Sequence, residues 1–354
     1  MAAPLRPQLA GLRAYQPEPP LGDAALDANE SPLAPPAVWL ERAQAVLARA
    51  QFNRYPDAGA SALRAGLGRL HGLPPESLVF GNGSDELLGL LLAAHGGDGA
   101  KVLLPQPTFS MYKLVALGMG WQVDEVELGP DWGLTPAFVE AARTLKPRLI
   151  FLASPNNPTG NALDPALVDQ LRGLPGTTLV MDEAYADFGG RSLLQAAATE
   201  EGLVVLRTFS KAWGLANLRL GWLACRPDLA AELEKLRLPY NLNGLSQALG
   251  AAAVELAPFF LGRVPQLLAW RDRLAHAAAG LPGARVWPSA ANFILLRHPD
   301  AAGLHAFLLG RGLRVRRFEG GRLDGCLRIN AGDEAQTVRL EQSLLDYAQG
   351  AVRA

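Results

Sequence analysis

Lys211 and Asp182 are the two residues whose surroundings first suggest chemistry. Each follows a short apolar run: Lys211 stands in RTFSKAWGLANLRLG and Asp182 comes directly after TTLVM. A lysine amine can condense with an aldehyde to form a Schiff base. A carboxylate at the C-terminal end of a strand faces the crevice where open α/β sheets bind ligands. The pair therefore predicts a site where the amine holds a carbonyl cofactor and the carboxylate pairs with a protonated ring nitrogen.

A second group of residues is suited to binding a phosphate. Hydroxyls and an arginine flank the lysine, and the segment GNGSDE precedes the apolar run LLGLLLAA. We interpret GNGSDE as a glycine-bearing loop that opens a helix, whose free N–H groups attract anions. The segment lacks the GxGxxG and GK[ST] patterns, which argues against a dinucleotide or a nucleoside triphosphate. The candidate phosphate-binding residues are Ser84, Thr208, Ser210 and Arg219, and Asp85 of the same segment is a further candidate for binding the cofactor.

Two further side chains are candidates for contacting the ring of such a cofactor. Asn157 lies in the turn SPNNPTG after the apolar run LIFLA, and Tyr185 follows Asp182 in the segment DEAY. Both can hydrogen-bond to a ring oxygen. Plainer interpretations stay open for each motif: Lys211 as a surface lysine, Asp182 as a helix cap, and NPTG as an ordinary turn.

Short apolar runs alternate with helical stretches from about residue 37, which indicates the elements that position these residues. Helical spacing begins at Val38–Ala50. Strand-length runs separated by helices favour a mostly parallel α/β sheet covered by helices. The predicted strands are Val102–Leu104, Leu149–Ala153, Thr178–Met181, Leu203–Arg207 and Leu220–Ala224.

The pattern changes after about residue 230, which predicts a second, smaller α+β domain. Long Leu/Ala/Arg helices fill Pro227–Gly280, and short strands follow at Asn292–Arg297 and Leu327–Asn330. Eight prolines before residue 37 exclude a long helix there. We expect residues 1–36 to form an arm on the small domain or on a partner subunit, residues 37–255 the large domain, and residues 256–354 the small one.

Composition narrows the function classes. The formal net charge is -1, so no global charge favours nucleic acid or a membrane surface. Cys225 and Cys326 lie far apart and form no metal or disulfide motif, so we expect no metal site. The start of the chain has no apolar core of a secretory signal, and apolar runs are shorter than a bilayer span. We expect a soluble, cytoplasmic protein that acts on small molecules.

The order of motifs GNGSDE, PTFSMY, SPNNPTG, DEAYADF, TFSKAWGLANLRLG and CLRINAG resembles the fold-type I, pyridoxal-5′-phosphate (PLP)-dependent aminotransferases of classes I and II. The resemblance covers nearly the whole chain. It implies a large domain with a seven-stranded, mostly parallel sheet, and a homodimer with shared active sites. The segments DANESP and NRYPD, together with LRI near Arg316, resemble most the branch of this family that acts on histidinol phosphate.

The resemblance also implies roles for individual residues. Lys211 would carry the cofactor and move the proton, and Phe109 would stack on the ring, where many relatives have tyrosine. Tyr55 would reach the phosphate of the neighbouring subunit's cofactor. Arg328 would bind the substrate's acid group and Arg316 a second anion. The substrate-binding residues are then Tyr15, Asn29, Asn157, Arg316 and Arg328.

Alternatives remain at this stage. Arg314, Arg316 and Arg317 lie close together, and their spacing alone allows a solvated basic patch. The same motifs would serve an aminotransferase for aromatic or aliphatic amino acids, or a decarboxylase of a phosphorylated amino acid. A non-catalytic PLP-binding module of a regulator would need a DNA-binding domain, for which the chain has neither spare length nor a basic helix.

Overall fold

The computed structural model describes Leu9, Gly11, Leu12 and residues 21–353. Its strands, β1 to β13 in order, are Ala24–Ala25, Leu78–Asn82, Lys101–Gln106, Gln122–Glu127, Leu149–Ala153, Thr178–Asp182, Leu203–Thr208, Leu220–Ala224, Arg285–Val286, Phe293–Arg297, Leu313–Arg314, Arg316–Arg317 and Cys326–Asn330. Its helices, α1 to α13 in order, are Ala37–Ala48, Ser61–His71, Gly83–His95, Ser110–Gly118, Pro136–Leu145, Pro165–Asp169, Leu194–Ala197, Pro227–Glu234, Gly244–Glu255, Ala257–Leu261, Val264–Ala279, Ala301–Gly310 and Glu334–Arg353.

A seven-stranded sheet forms the centre of the larger unit, in the order β2-β8-β7-β6-β5-β3-β4. Strand β8 runs antiparallel to both of its neighbours, and the other pairs are parallel. Strands β5 to β8 are buried along their whole length, as expected for a sheet with helices on both faces. The predicted α/β class is confirmed, and so are the five strands read from apolar runs.

Strands β2 and β4 escaped the sequence pattern for different reasons. Strand β4, QVDEVE, lies at the edge of the sheet and carries charged, partly exposed side chains, so it has no apolar run. Strand β2 ends in Gly81 and Asn82, and helix α3 begins at the next residue, Gly83. The prediction of a loop at GNGSDE was therefore wrong, because the first two residues pair with β8 before the helix starts.

The parallel arrangement brings the functional segments to one end of the sheet, at the carboxyl ends of the parallel strands. Strands β2, β3, β5, β6 and β7 all end there, and β8 starts there because it runs the other way. The turns that follow carry the predicted site residues. Open α/β sheets bind ligands at these carboxyl ends of the strands.

The C-terminal part forms a smaller antiparallel sheet in the order β12-β13-β10-β9. Helices α11, α12 and α13 pack against it around a core of their own that includes Leu274, Leu304 and Leu340. Near the N-terminus, β1 pairs in parallel with β11. The division of the chain at residues 36 and 255 stays a prediction.

In the described part of the chain, no individual helix is both long and apolar enough to cross a membrane; only the pair Gly244–Glu255 and Ala257–Ala279, bent by 78°, passes on length and composition.

Gly221 allows two elements of the larger unit to approach closely. A Cβ atom on Gly221 would lie 2.3 Å from the backbone nitrogen of Ser84 and 2.4 Å from the carbonyl carbon of Gly83. Real Cβ atoms do not approach so closely, and the clashing atoms are backbone rather than flexible side chain. Strand β8 can therefore support the start of helix α3 only if residue 221 has no side chain.

We expect Gly221→Ala to lower the thermal unfolding midpoint, since overpacking a rigid contact costs about 1–3 kcal/mol. Gly89→Ala is the matched control, because Gly89 lies inside α3 and no atom lies within 4 Å of the place that an added methyl group would take. Alanine there should leave the midpoint unchanged or raise it. Differential scanning calorimetry of both variants checks this. Equal stability of the two variants would contradict the close-approach argument.

Candidate active site

A cavity of about 260 Å³ opens at the edge of the sheet where the strands end. It brings together residues from many separate segments of the chain. The predicted site residues that line it are Asn29, Ser84, Asp85, Phe109, Asn157, Asp182, Tyr185, Thr208, Ser210, Lys211, Arg219 and Arg328. Most of the predicted site residues therefore share one cavity, although they lie far apart in the sequence.

Lys211 presents its amine to this cavity. It follows β7 by three residues, and its Nζ donates a hydrogen bond of 3.0 Å to the carbonyl oxygen of Ala28. The same nitrogen lies 5.8 Å from the centre of the Tyr185 ring. The amine is thus held by one neutral oxygen and an aromatic ring, and no ion pair in the described residues involves it. The surface-lysine interpretation does not fit this position.

Asp182 is the last residue of β6, and its carboxylate is buried. Tyr112 donates its hydroxyl proton to Oδ2 at 2.6 Å, and the backbone N–H of Ala184 donates to Oδ1 at 3.0 Å. Burial raises the pKa of the Asp182 carboxyl to about 6, while these two hydrogen bonds lower it. No basic side chain among the described residues forms an ion pair with it. A cation in the cavity would therefore be strongly favoured.

Hydrogen-bond donors surround the start of helix α3. The N–H of Asn82 is donated to Glu86 and that of Gly83 to the carbonyl of Arg219, which leaves the next N–H groups of the first turn for a ligand. The guanidinium of Arg219 lies against Gly83, where a Cβ atom would come within 2.6 Å of Nη2. The hydroxyls of Thr208 and Ser210 are 3.0 Å apart. This concentration of donors at a helix N-terminus suits a phosphate.

Tyr185 and Asn157 reach the cavity from two neighbouring strand ends, as the sequence predicted. The Tyr185 hydroxyl accepts a hydrogen bond of 2.8 Å from the side-chain nitrogen of Asn29. The side-chain oxygen of Asn157 accepts one of 2.6 Å from Arg328. Phe109 stands at the other wall, with its ring edge-on to Tyr112 at 5.4 Å. An aromatic wall of this kind can cover the face of a flat ring.

The arginine cluster separates into three environments. Arg314 pairs with Asp27 at 3.0 Å, and Arg317 pairs with Glu319. Arg316 instead lies directly opposite Arg328 across strands β12 and β13. Arg316 and Arg328 both line a second cavity of about 650 Å³, which adjoins the first because Arg328 lines both. This placement supports Arg316 as the residue for a second anion, a role that stays a prediction.

Two predicted residues lie elsewhere. Tyr55 does not line either cavity; its side chain is 81% exposed and stacks on Tyr240 with ring centres 4.6 Å apart. The expected role of Tyr55 requires another subunit. Tyr15 lies outside the described residues.

Some contributors could not be recognised from the sequence. Tyr112 lies in the PTFSMY segment, but nothing in its spacing shows that its hydroxyl reaches a strand 70 residues later. Glu183, the neighbour of Asp182, is fully buried with Arg207 at 2.9 Å, and it also accepts hydrogen bonds from Ser192 and the N–H of Leu193. Glu183 is therefore occupied in a structural ion pair on the other side of the strand.

Comparison with known proteins places this geometry in a family. The model of the family "Aminotransferase class I and II" matches residues 24–344. The chain belongs to this family.

Individual relatives are more specific. A histidinol-phosphate aminotransferase of Roseiflexus castenholzii is 38% identical, covering 97% of this chain and 98% of the relative. One from Gloeobacter violaceus is 40% identical over 95% of each chain. The crystal structure of histidinol-phosphate aminotransferase from Sinorhizobium meliloti in complex with pyridoxal-5′-phosphate superimposes with a TM-score of 0.88 at 24% identity, covering 99% of both chains.

The residues of the cavity fit PLP, the cofactor of this family. The buried Asp182 carboxylate, which has no basic partner in the described residues, matches a protonated pyridine nitrogen. The donors around α3 match a phosphate, and the Lys211 amine matches an aldehyde carbon. Each ionic group of the cofactor thus has a complementary group on one cavity wall.

The raised pKa of Asp182 gives a pH test on protein stripped of cofactor. In the folded protein the pKa of Asp182 is about 6, above the ordinary value of 3.8. Between these two values the unfolded chain has lost the proton while the folded chain keeps it. The free energy of unfolding therefore falls as the pH rises from about 4 to about 6. Asp182→Asn removes this penalty. The unfolding free energy of the variant minus that of the wild type should therefore increase by roughly 2 kcal/mol between pH 4 and 7.

Urea unfolding of both proteins at several pH values, at one protein concentration, measures this difference. Asparagine also changes the bonds to Tyr112 and Ala184, but that contribution is independent of pH. A difference that stays flat across the range would show that the carboxylate is not desolvated as the structure indicates.

Proposed function

We propose that this chain is a PLP-dependent transaminase that interconverts histidinol phosphate and 2-oxoglutarate with imidazole-acetol phosphate and glutamate; within histidine biosynthesis, glutamate is the amino donor and histidinol phosphate the product. The chemistry rests on one observation: the amine of Lys211, the buried carboxylate of Asp182 and the donors around helix α3 face the same cavity. The substrate rests on the histidinol-phosphate aminotransferases that are 38% and 40% identical over nearly the whole chain.

Lys211 is the proton carrier in this proposal. When bound, PLP supplies an electron-withdrawing ring that stabilises negative charge on the carbon losing its proton. With substrate bound, the Lys211 amine would accept the α-proton and then donate it again, so that the same group acts first as base and then as acid. Positioned proton transfer of this kind contributes roughly 10²–10⁴-fold in rate. The carbonyl of Ala28 holds the amine in place between these transfers.

The surrounding side chains hold charge where the reaction needs it. Asp182, oriented by Tyr112 and by the N–H of Ala184, would keep a proton on the ring nitrogen. Tyr185 and Asn157 would bond to the ring oxygen, and Phe109 would cover the ring. Together these residues would hold the cofactor beside Lys211, which lines the same cavity.

Two arginines serve the substrates. Arg328 binds a carboxylate, since its planar fork matches that group, and Asn157 fixes its orientation at 2.6 Å. Arg316, opposite Arg328 in the register of the small sheet, binds the second anion. The donor glutamate carries two carboxylates and the acceptor a phosphate, so one pair of arginines that accepts either anion lets the two substrates use the same site in turn.

An exposed apolar patch supports a homodimer with shared sites. The patch joins two segments where Tyr55 stacks on Tyr240, and its exposed side chains are Phe52, Tyr55, Leu236, Leu238 and Tyr240, with exposed fractions between 42% and 81%. It adjoins the phosphate-binding region, since Asn82 at the start of α3 donates to the carbonyl of Asn241. A second copy covering the patch would bring its own Tyr55 to that region.

The predicted cytoplasmic location stays a prediction.

Lys211→Ala should abolish the visible absorbance of the bound cofactor and reduce turnover of histidinol phosphate with 2-oxoglutarate by at least about 10³-fold. Lys101→Ala is the matched control, because Lys101 is the first residue of β3 and lies at the end of that strand away from the cavity. This variant should leave both readouts unchanged. Aromatic and aliphatic amino donors and release of carbon dioxide are measured alongside. Turnover of these alone, with none from histidinol phosphate, would replace the proposed substrate by one of its rivals.

Shared sites predict complementation between two defective variants. Tyr55→Ala should weaken cofactor binding at least tenfold, since a hydrogen bond to a charged group contributes about 1.5–3 kcal/mol. A heterodimer of Tyr55→Ala and Lys211→Ala subunits contains one site with both native residues. Its activity should recover to about half that of wild type. Heterodimers of wild type and Lys211→Ala provide the half-active reference, and a heterodimer no better than its Tyr55→Ala parent would contradict sharing.

A further inference from the structure

Asn29 is buried, and its side chain contacts the hydroxyl of Tyr185, which lines the cavity. It is 1% exposed, and its Nδ2 donates a hydrogen bond of 2.8 Å to the hydroxyl oxygen of Tyr185. Its own Oδ1 is buried without a hydrogen-bond partner in the described residues. A buried amide oxygen left unsatisfied is costly, so such groups need a reason. The hydrogen bond that the Asn29 side chain does make in the described residues is the one it donates to Tyr185.

The backbone of Asn29 is fixed from two sides, which aims its side chain. Its N–H donates to Oδ1 of Asn330 at 3.2 Å, and its carbonyl accepts from Nδ2 of Asn292 at 3.2 Å. Both partners are 1% exposed and belong to the smaller antiparallel sheet or the turn before it. Asn29 has φ of 55°, a left-handed conformation that asparagine tolerates better than most residues.

A phenol hydroxyl has one proton to donate and can also accept. Because Asn29 donates to the Tyr185 oxygen, the Tyr185 proton is not consumed by Asn29 and remains available to a ligand in the cavity. Accepting a hydrogen bond also makes the hydroxyl a stronger donor, since hydrogen bonds in a chain polarise one another. The contact therefore both orients and strengthens what Tyr185 can offer.

We propose that Asn29 is a positioning residue for the cofactor: by donating to Tyr185, it reserves the phenol proton for the ring oxygen of PLP. This inference rests on the proposed function in that PLP binds at Lys211. It gives Asn29 a role beyond the expected one in substrate binding. The carbonyl of the adjacent residue Ala28 accepts a hydrogen bond from the Lys211 amine, so consecutive residues of one segment contact two of the groups proposed to bind the cofactor.

The consequence is measurable without turnover. A hydrogen bond to the ring oxygen stabilises its negative charge, and this favours loss of the proton from the lysine-linked chromophore. Weakening the bond raises the pH midpoint of the absorbance change of the bound cofactor. We expect Asn29→Asp to raise this midpoint by about one pH unit, a tenfold change in the equilibrium, because its carboxylate accepts the hydrogen bond of the Tyr185 hydroxyl and adds negative charge beside the cofactor.

Asn29→Gly removes the donor without strain, because glycine accepts a positive φ. It should raise the midpoint by a smaller amount. Tyr185→Phe removes the phenol proton itself, so we expect its midpoint to be at least as high as that of Asn29→Gly. In the Tyr185→Phe background Asn29→Gly should not move the midpoint further, because the group through which Asn29 acts is absent, and the Asn29→Asp shift should shrink to the part caused by its added charge.

Asn243→Ala is the matched control, since its amide bonds to Ser246 and, in the described residues, makes no hydrogen bond to Asn29 or Tyr185. Its midpoint should equal that of wild type. The inference is overturned if Asn29→Gly leaves the midpoint unchanged, if the Asn29→Gly shift persists without the Tyr185 hydroxyl, or if Asn243→Ala shifts the midpoint equally. A wild-type holoenzyme without any lysine-dependent visible band would reject the proposed function, and the inference with it.

Discussion

A desolvated carboxylate at the end of a central strand governs the organisation of this protein. Asp182 is enclosed by the sheet and by helix α4, where burial raises its pKa to about 6. Its partners in the described residues, Tyr112 and the N–H of Ala184, orient the charge without neutralising it. A cation bound beside the carboxylate would offset part of the free energy lost by desolvation. The folded protein therefore has a buried carboxylate with no cationic partner in the described residues, which suits a protonated ring nitrogen.

Two adjacent carboxylates show how position alone separates chemistry from structure. Successive residues at a strand end point in opposite directions. Asp182 faces the cavity, whereas Glu183 faces Arg207, Ser192 and the N–H of Leu193. Glu183 is compensated by a buried cation and hydrogen bonds, so it fixes the turn after β6. Asp182 keeps its negative charge available because no such partner reaches it in the described structure.

The N-terminal segment from Asp27 to Asn29 joins the two sheets at the site. Asp27 pairs with Arg314, and its carbonyl accepts from Arg328. Ala28 accepts from Lys211, and Asn29 donates to Tyr185. Three consecutive residues therefore contact the amine, the phenol and Arg328, the arginine proposed to bind substrate. A movement of the smaller sheet would change these contacts together, so a ligand held by Arg328 would also affect the surroundings of the amine.

The sequence by itself determined the fold class, five central strands and most of the cavity. Buried parallel strands appear as continuous apolar runs, and the residue after each run must lie at one edge of the sheet. That logic is enough to place Lys211, Asp182 and Asn157 together. Tertiary structure decided what no local pattern encodes: the Tyr112 and Asn29 contacts, the register that sets Arg316 opposite Arg328, and the exposure of Tyr55. These depend on side chains meeting across up to 301 positions of sequence, where packing rather than spacing selects the partner.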